Sequence, residues 1–427
     1  MKLLSAFENH KQWPHVKEVA EKLINNGFKA FLAGGCVRDA IIGRVPKDFD
    51  IATDAPPTAV EGFFEKTIPV GREFGIVIVP FSGFQVEVAT FRKDGAYVDG
   101  RHPEAVTFSS PQEDAARRDF TVNALFYDIQ SNAVIDHVGG LQDIKDKSLR
   151  AVGDPCRRFD EDKLRLMRAV RFSGELNFSL APATYLALCE RAESIQAVSV
   201  ERIFSEMNRI WLSENPVKGF NGLFETGLLQ VLMPELFLNK DQSDAVSCGQ
   251  KFKVMLNGFM QRKVNAIESY WAGLFLSFNV SDAKAHDCLM EWHGPRQLAD
   301  DVTWLVQHYH SLIAIFTKHP AKALRLLGHG MGVYLLDLLQ FKSIIERGDT
   351  SSLESLVIAY NQICDSQGLL PAAWVKGKDV LNLGLAPGKS VGELVEAAYD
   401  RQLLGESLNR KELLEWLMSE VSRRGLS

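Results

Sequence analysis

Two aspartates spaced one residue apart are the first feature of this sequence that could carry chemistry. Asp48 and Asp50 lie in the segment DFDIAT, whose composition is typical of a β-strand. Side chains at i and i+2 of a strand point to the same face, so the two carboxylates would project together and repel each other. A Mg²⁺ ion, which typically binds one or two carboxylates together with substrate phosphate, would relieve that repulsion. The pattern predicts a Mg²⁺ site at Asp48 and Asp50, with a solvated turn as the alternative.

A third carboxylate, Glu87, lies in the segment FQVEVATF. Its parity along the predicted strand is opposite to that of Val86 and Val88, which we expect to face the core. Glu87 would then share a face with the aspartate pair and complete a cluster of three carboxylates. The alternative is an exposed glutamate on the sheet.

A pair of glycines separates a predicted strand from a predicted helix in the segment KAFLAGGCVRDAI. Gly34 and Gly35 let the backbone approach a ligand closely, and the unpaired N–H groups at the start of the helix favour phosphate. Arg38, about one turn into the helix, adds a positive charge. An ordinary tight connection is the alternative, but carboxylates beside a phosphate-binding turn indicate two-metal phosphoryl or nucleotidyl transfer.

Adjacent arginines introduce the segment ARRDFTVNALFYD, residues 116–128. Arg117 and Arg118 could grip a triphosphate through bidentate hydrogen bonds. Asp119 and Asn123 are four residues apart, so at a helix start they could hold a ribose hydroxyl or lock the local fold. The alternative is a capped helix with a solvated basic entrance.

The segment RFDEDKLRLMRAVRF, residues 158–172, has the periodicity of one amphipathic helix. Its apolar stripe comprises Phe159, Leu166, Met167 and Val170. Asp162, Arg165, Arg168 and Arg171 wind round the other side at three-residue spacing. Asp162 and Arg165 could form a surface salt bridge, or they could present acceptor and donor groups to a nucleotide base. In the second case Arg168 and Arg171 would reach phosphate.

Composition restricts the class of protein. The 427 residues are 46% hydrophobic and carry a net charge of −6, which excludes a uniformly basic coat but allows a local basic groove. Six scattered cysteines without a C-x-x-C pair predict reduced thiols and a cytoplasmic location. No apolar run approaches the ~20 residues of a membrane span, so no membrane association is expected.

The elements that must position these residues change in type along the chain. Residues 1–140 mix helix and strand, whereas helical periodicity dominates from about residue 157. The prediction is an α+β fold with an α/β catalytic head over residues 1–140 and an elongated all-helical remainder. A first helical part over residues 141–225 would carry the segment 158–172, and a second would span 226–427. The polar, glycine-bearing segment 90–114 predicts a mobile functional loop.

In order along the chain, GG-C-V-R-D, DFD, RRDFTVNA, GGLQDI and EDKLR resemble the successive motifs of the class II nucleotidyltransferases. That family contains the bacterial CCA-adding tRNA nucleotidyltransferases and the poly(A) polymerases, and the resemblance covers roughly residues 28–212. It implies a nucleotidyltransferase head followed by a helical neck, body and tail. It further implies template-independent addition of C, C and A to a tRNA 3′ end from CTP and ATP with Mg²⁺, releasing pyrophosphate. A-adding, CC-adding and poly(A)-polymerising activities stay open, and no obligatory protein partner is implied.

The resemblance also implies roles for individual residues. Asp48 and Asp50 would be metal ligands, and the incoming nucleotide would contact Gly35, Arg38 and one of Arg117 and Arg118. Asp162 and Arg165 would recognise the base, with Arg168 and Arg171 assisting. The segment at 90–108 resembles the flexible loop of enzymes that finish with adenosine, and residues 376–417 resemble a tail that touches tRNA.

Overall fold

The computed structural model describes residues 7–68, 74–95, 106–238, 240–346, 350–364 and 369–425. The chain divides into two compact units, Met1–Glu235 and Leu236–Ser427. The first unit contains a mixed β-sheet and helices, and the second is helical in its described residues. The predicted α+β class is therefore confirmed. The predicted boundary at residue 140 falls inside the first unit, and the one at residue 225 lies just before the division between the units.

A six-stranded sheet forms the centre of the first unit. Its strands are β1 (Ala30–Ala33), β2 (Asp50–Thr53), β3 (Ile76–Phe81), β4 (Phe84–Thr90), β7 (Leu125–Asp128) and β8 (Ala133–Asp136), in the spatial order β3-β4-β2-β1-β7-β8. Strands β2 and β4 are parallel, and the other neighbours are antiparallel. Two small pairs lie apart from this sheet, formed by β5 (Arg92–Asp94) with β6 (Val106–Phe108) and by β9 (Ser148–Leu149) with β10 (Ser179–Leu180).

Helices of the first unit cover the sheet and continue the chain beyond it. They are α1 (Trp13–Asn25), α2 (Gly35–Ile41), α3 (Pro57–Phe63), α4 (Pro111–Arg117), α5 (Gly140–Lys145), α6 (Pro155–Glu161), α7 (Leu164–Leu176), α8 (Pro182–Arg191), α9 (Val200–Trp211), α10 (Pro216–Glu225) and α11 (Leu228–Leu232). Short 3₁₀-helices occur at Thr121–Asn123 and Ala192–Ala197, and one at Pro234–Phe237 spans the division between the units. Helix α7 packs against α9 and α10. Its apolar residues Leu166, Met167 and Val170 are fully buried as a result.

A buried cluster fixes the strands that carry the predicted site residues. Ala33 of β1, Ala52 of β2 and Phe126 of β7 pack together with Phe91 and Ala115. The small alanine side chains let the strands and helix α4 approach closely, while the aromatic rings fill the remaining space. Residues adjacent to this cluster, including Gly34 and Asp50, are thereby held on a packed framework.

The second unit consists of helices in the residues that the structure describes. They are α12 (Gln242–Arg262), α13 (Ile267–Ser277), α14 (Asp282–Glu291), α15 (Arg296–Tyr309), α16 (Leu312–Lys318), α17 (Pro320–Leu327), α18 (Gly332–Glu346), α19 (Ser351–Ile363), α20 (Gly377–Leu381), α21 (Lys389–Leu403) and α22 (Arg410–Arg423). Residues from α20 to α22, with Val375 before them, share one apolar core. None of the helices in the described ranges combines the length and the apolar character needed to cross a bilayer.

One sequence prediction about the elements needs correction. The segment 90–114 is not wholly a loop, because its described ends pair as the strands β5 and β6 and its last residues begin helix α4. The centre of the predicted loop, residues 96–105, lies outside the described residues. The prediction of thiols without disulfides is confirmed, since all six cysteines are free.

Candidate active site

One cavity of about 770 Å³ in the first unit collects the predicted site residues. Its wall includes Gly34, Gly35, Arg38, Asp48, Asp50, Glu87, Arg117, Arg118, Asp119, Asn123, Asp162, Arg165 and Arg168. Of the site residues predicted from sequence, Arg171 is the one that does not line it. The volume falls within the ~300–1,000 Å³ of typical small-molecule sites.

Asp50 and Glu87 lie side by side in the cavity wall because the strands that carry them are parallel neighbours in register. Burial by the surrounding protein raises the pKa of the Asp50 carboxyl, although this side chain is open to the cavity. The negative charges of Glu87 and Asp48 raise the pKa further, to about 7. Arg118 opposes this effect. Burial likewise raises the pKa of Glu87, against the opposing charges of Arg118 and Arg92. The three acids repel one another, which is the condition that a bound cation would relieve.

Asp48 reaches the same cavity but does not lie in the strand, contrary to the sequence prediction. Strand β2 begins at Asp50, which pairs with Ala33, the last residue of β1. The chain turns into a helix after Ala33, so β1 offers no partner for Asp48, which lies in a bend. Within the described ranges no group of three or more His, Cys, Asp or Glu side chains is arranged to hold a metal ion. Glu87 therefore adjoins Asp50 without closing a three-carboxylate metal site.

Gly34 provides the close approach that the sequence predicts at this turn. Its φ of +72° lies in the region that favours glycine, and a Cβ there would lie 3.0 Å from Nη1 of Arg118. Arg118 Nη1 donates a hydrogen bond of 3.2 Å to the carbonyl oxygen of Asn123. The absence of a side chain at Gly34 is thus what allows the Arg118 guanidinium to lie beside the turn.

Arg38 lines the cavity from helix α2 with its side chain almost fully buried. Its Nε and Nη2 donate hydrogen bonds of 2.9 and 2.7 Å to Oδ1 of Asp39, and Nη1 donates to Oδ1 of Asn123. The guanidinium lies 5.3 Å from the ring centroid of Phe172. Arg38 thereby links helix α2 to the RRDFTVNA segment and to helix α7.

One carboxylate holds both members of the arginine pair. Oδ1 of Asp114 accepts hydrogen bonds of 2.9 and 2.6 Å from Arg117, and Oδ2 accepts bonds of 3.1 and 3.0 Å from Arg118. Burial alone would raise the pKa of Asp114, but the two guanidinium groups outweigh it and lower the pKa. The sequence analysis missed Asp114, although its position three and four residues before the arginines on one helix is the spacing at which such pairs form.

The RRDFTVNA segment follows a helix instead of starting one, which corrects the sequence prediction. Helix α4 ends at Arg117, and Ser110 caps its start by accepting a hydrogen bond from the backbone N–H of Glu113. The S-P-x-E spacing at residues 110–113 is a sequence signal for this cap. Asp119 then lies in a bend before the 3₁₀ turn, and its Oδ1 accepts a 3.2 Å hydrogen bond from Asn123.

The buried carboxylate of Asp119 forms an ion pair with Arg168, whose side chain is partly exposed to the cavity. Oδ2 of Asp119 accepts bonds of 2.9 and 2.6 Å from Nε and Nη2 of Arg168, and Oδ1 accepts a 2.7 Å bond from the N–H of Phe120. Burial opposes ionisation of this carboxyl, but Arg168, with a smaller effect of Arg165, lowers its pKa to about 2. The pair connects helix α7 to the segment that carries the arginine pair.

The predicted single helix over residues 158–172 is broken at Asp162. Helix α6 ends at Glu161 and α7 begins at Leu164, with Asp162 in extended conformation between them. Oδ1 of Asp162 accepts a 3.1 Å hydrogen bond from the N–H of Leu164, so the side chain competes with the helical backbone and ends α6. The Asp162 carboxylate also lies 3.4 Å from Nη2 of Arg202 on helix α9, a partner that the sequence analysis missed.

Arg165 is held by groups other than Asp162, so the alternative of an Asp162–Arg165 salt bridge is not observed. Its Nη1 donates hydrogen bonds of 3.0 Å to Oε2 of Glu161 and 2.9 Å to the carbonyl oxygen of Arg158. Nη2 donates a 3.3 Å bond to the carbonyl oxygen of Arg117. Both Asp162 and Arg165 line the cavity, and both terminal nitrogens of the Arg165 guanidinium are held by hydrogen bonds.

Arg171 faces away from the cavity wall, contrary to the prediction that it reaches phosphate. Its Nε donates a 2.6 Å hydrogen bond to Oε2 of Glu206, and Nη1 donates a 2.6 Å bond to Oε2 of Glu175. Both Arg171 and Glu206 are buried. The pair joins helices α7 and α9, which is a structural role.

Three segments of the chain match family models. Residues 30–150 match the Poly A polymerase head domain family, and residues 177–238 match a family described as an RNA and SrmB binding site of polymerase A. Residues 262–417 match the family of tRNA nucleotidyltransferase domain 2.

Individual relatives extend the similarity over nearly the whole chain. A CCA-adding enzyme of Bacillus licheniformis is 34% identical over 406 residues, covering 93% of this chain and 96% of the relative. One from Lactococcus lactis is 32% identical, covering 94% and 96%. The crystal structure of the Bacillus stearothermophilus CCA-adding enzyme in complex with CTP is 28% identical, with a TM-score of 0.73 and coverage of 97% and 99%. The Thermotoga maritima CCA-adding enzyme complexed with tRNA shares the fold, with a TM-score of 0.73 over 99% of both chains at 16% identity.

Proposed function

The chain belongs to the family of the CCA-adding enzymes, and from that premise we propose that it adds C, C and A in turn to the 3′ end of tRNA, using CTP and ATP and releasing pyrophosphate. The observation that carries this proposal is the cavity in which the carboxylates, the glycine turn, the arginine pair and Asp162 with Arg165 share one wall. Such a wall combines groups suited to a metal, a triphosphate and a base. The six free thiols accord with a reducing, cytoplasmic location.

Nucleotidyltransferases of this family typically use a divalent metal, and we propose Mg²⁺ held by Asp48 and Asp50. The residues fit such an ion, because the pKa of about 7 at Asp50 reflects burial and the neighbouring acids Glu87 and Asp48. Two carboxylates and a substrate phosphate are a ligand set that suits Mg²⁺. When bound, the metal would favour ionisation of the attacking hydroxyl and balance charge on the triphosphate. Glu87 adds negative charge beside Asp50 and so strengthens the attraction for a cation.

The remaining wall residues would bind and orient the nucleotide. The backbone at Gly34 and Gly35 leaves room for phosphate, and Arg118 lies beside that turn with Arg38 behind it. Arg117 and Arg118 would meet the triphosphate as a pair fixed by Asp114. Holding the reactants in one geometry lowers the entropic cost of the reaction.

Asp162 and Arg165 would select the base without a nucleic-acid template. A carboxylate accepts hydrogen bonds and a guanidinium donates them, so together they can distinguish the edges of C and A from those of G and U. The fixed position of Arg165, held by Glu161 and the Arg158 carbonyl, would make this selection rigid. Replacing Arg165 with alanine should reduce discrimination of CTP and ATP against GTP and UTP by about tenfold or more. Unchanged discrimination would remove Arg165 from this role.

The central test supplies purified protein with tRNA ending at the discriminator base, in C or in CC, together with CTP, ATP or both. We expect products extended by C, C and A, resolved at single-nucleotide length. Asp48→Ala should lower the rate of addition by at least about 10³-fold, while tRNA binding, measured by filter retention, stays unchanged. Normal turnover of this variant would refute the metal assignment.

A poly(A) polymerase is the second candidate, because residues 30–150 match a family described as its head domain. The same assay separates the candidates. A polymerase would add long adenosine tracts to RNA without a tRNA acceptor stem, whereas a CCA-adding enzyme stops after one A. Addition of CC alone or of A alone would identify the two partial activities.

A further inference from the structure

Arg209 of helix α9 lines the active-site cavity but has no assigned role. Seven arginines line this cavity, and six of them donate hydrogen bonds to acceptors within the described residues. In that part of the chain Arg209 makes none. Its contact is an ion pair in which Nη1 lies 3.7 Å from Oε1 of Glu206, and its side chain is 62% exposed. All guanidinium donors of Arg209 are therefore available to a ligand, whereas each of the other six arginines already uses some of its donors.

Glu206 offsets the charge of Arg209 only in part. Its Oε2 accepts the 2.6 Å bond from Arg171, and both of those side chains are buried. Arg171 is shared with Glu175, so Glu206 keeps some negative charge towards Arg209. The contact between Glu206 and Arg209 is nevertheless weak, because it is 3.7 Å long and the Arg209 side chain is open to solvent.

Helix α9, which carries Arg209, also contacts other residues of the cavity wall. Helix α9 packs against α7, and the guanidinium groups of Arg38 and Arg168 lie 5.3 and 5.2 Å from the ring centroid of Phe172 on α7. Arg202, seven residues before Arg209 and on the same helix face, contacts Asp162. Seven residues of helix correspond to about 10 Å along the axis. This separation is comparable with the distance from base to terminal phosphate in an extended nucleoside triphosphate.

We propose that Arg209 binds the terminal phosphates of the incoming CTP or ATP, and the pyrophosphate that leaves after transfer. This inference rests on the proposed function and adds to it a residue for the polyphosphate end of the substrate. Arginine suits that end because its planar donors match phosphate oxygens in pairs. Asp162 would bind the base and Arg209 the terminal phosphates, so the distance between them would suit a nucleoside triphosphate.

Equilibrium binding without RNA tests the proposal, because no turnover then occurs. Dissociation constants of CTP, CMP and pyrophosphate are measured in Mg²⁺ by titration calorimetry for the wild type, Arg209→Ala and Arg209→Lys. We expect Arg209→Ala to weaken CTP and pyrophosphate about tenfold and to leave CMP unchanged. Arg209→Lys should recover part of the loss, since it keeps the charge. Equal weakening of CTP and CMP, or no weakening, would overturn the assignment.

Arg296 offers a matched control. It is a helical arginine in the second unit, 85% exposed, with a carboxylate at 3.8 Å, and it lies outside the cavity. Arg296→Ala should leave all three dissociation constants unchanged, and thermal unfolding of each variant checks the fold. Steady-state KM values provide the second arm, in which a rise for RNA with no rise for CTP would place Arg209 on the RNA instead. If the wild type binds CTP yet adds no nucleotide, the proposed function fails while the binding comparison still judges Arg209.

Discussion

Replacing Asp119 with asparagine tests the ion pair with Arg168 that joins helix α7 to the RRDFTVNA segment. Asparagine keeps an oxygen that can accept the hydrogen bonds from Phe120 and Asn123. It removes the negative charge that faces Nε and Nη2 of Arg168. The substitution therefore isolates the charge from the shape of the side chain.

The size of the effect follows from the pKa of Asp119. The fold lowers it from the ordinary aspartate value of 3.8 to about 2, which means that the folded protein prefers the ionised form. That difference corresponds to about 2 kcal/mol of stability at neutral pH. Because the folded pKa is the lower one, this stability is present above pH ~4 and is lost as the pH falls towards 2. Asp119→Asn should therefore cost about 2 kcal/mol at pH 7 and almost nothing near pH 2.

Hydrogen exchange followed by mass spectrometry is the suitable assay, since the two units can unfold separately. Peptides covering residues 117–125 and 164–176 report the free energy of opening at the pair itself. Measurements at pH 7, 5, 4 and 3 give the difference between wild type and variant at each pH. Addition of nucleotide should slow in parallel, because Arg168 lines the cavity.

Asp160→Asn supplies the control. Asp160 pairs with Arg191 at 3.0 Å, but the Asp160 carboxylate is 53% exposed, whereas that of Asp119 is 9% exposed. Water and salt screen such pairs, so this variant should differ little from the wild type at any pH. A loss in Asp119→Asn that stays constant from pH 7 to 3 would refute the reasoning, because a charge-based effect must fade as the wild-type carboxyl protonates.

Two further predictions concern packing and the reassigned arginine. Gly140→Ala should cost about 3 kcal/mol in urea unfolding, because its Cβ would lie 2.2 Å from the Thr121 carbonyl oxygen, whereas Gly392→Ala meets nothing within 4 Å and should be harmless. Arg171→Met should cost about 3–5 kcal/mol, because the buried Glu206 would keep only its 3.7 Å contact with Arg209. Adding Glu206→Leu should restore most of that stability, and a persistent loss of stability or a weakened CTP affinity in the double variant would return Arg171 to the nucleotide site.

Spacing along the chain was sufficient to predict most of the cavity wall. Strand parity indicated that Glu87 would share a face with the aspartates, and it pairs in register with Asp50. The glycine pair between an apolar run and a helix indicated the close approach at Gly34. These features are local, and local periodicity reports them well.

Specific contacts of individual residues, some local and some distant in sequence, explain what the sequence could not show. Arg171 has the helical spacing of Arg165 and Arg168, but Glu206, 35 residues further on, turns it away from the cavity. Asp162 has helical spacing too, yet its side chain bonds to the backbone two residues ahead and ends the helix. The start of β2 at Asp50 depends on where β1 ends. In each case a contact that periodicity does not encode decides the outcome.

The shared carboxylate of Asp114 has a consequence for the speed and strength of substrate capture. Long arginine side chains ordinarily lose rotational freedom when a ligand immobilises them, at about 0.5–1.5 kcal/mol each. Arg117 and Arg118 are already ordered by bonds to the two oxygens of one buried acid. The two side chains therefore lose this conformational entropy when the protein folds. Binding of a polyanion then incurs little further loss at these two arginines.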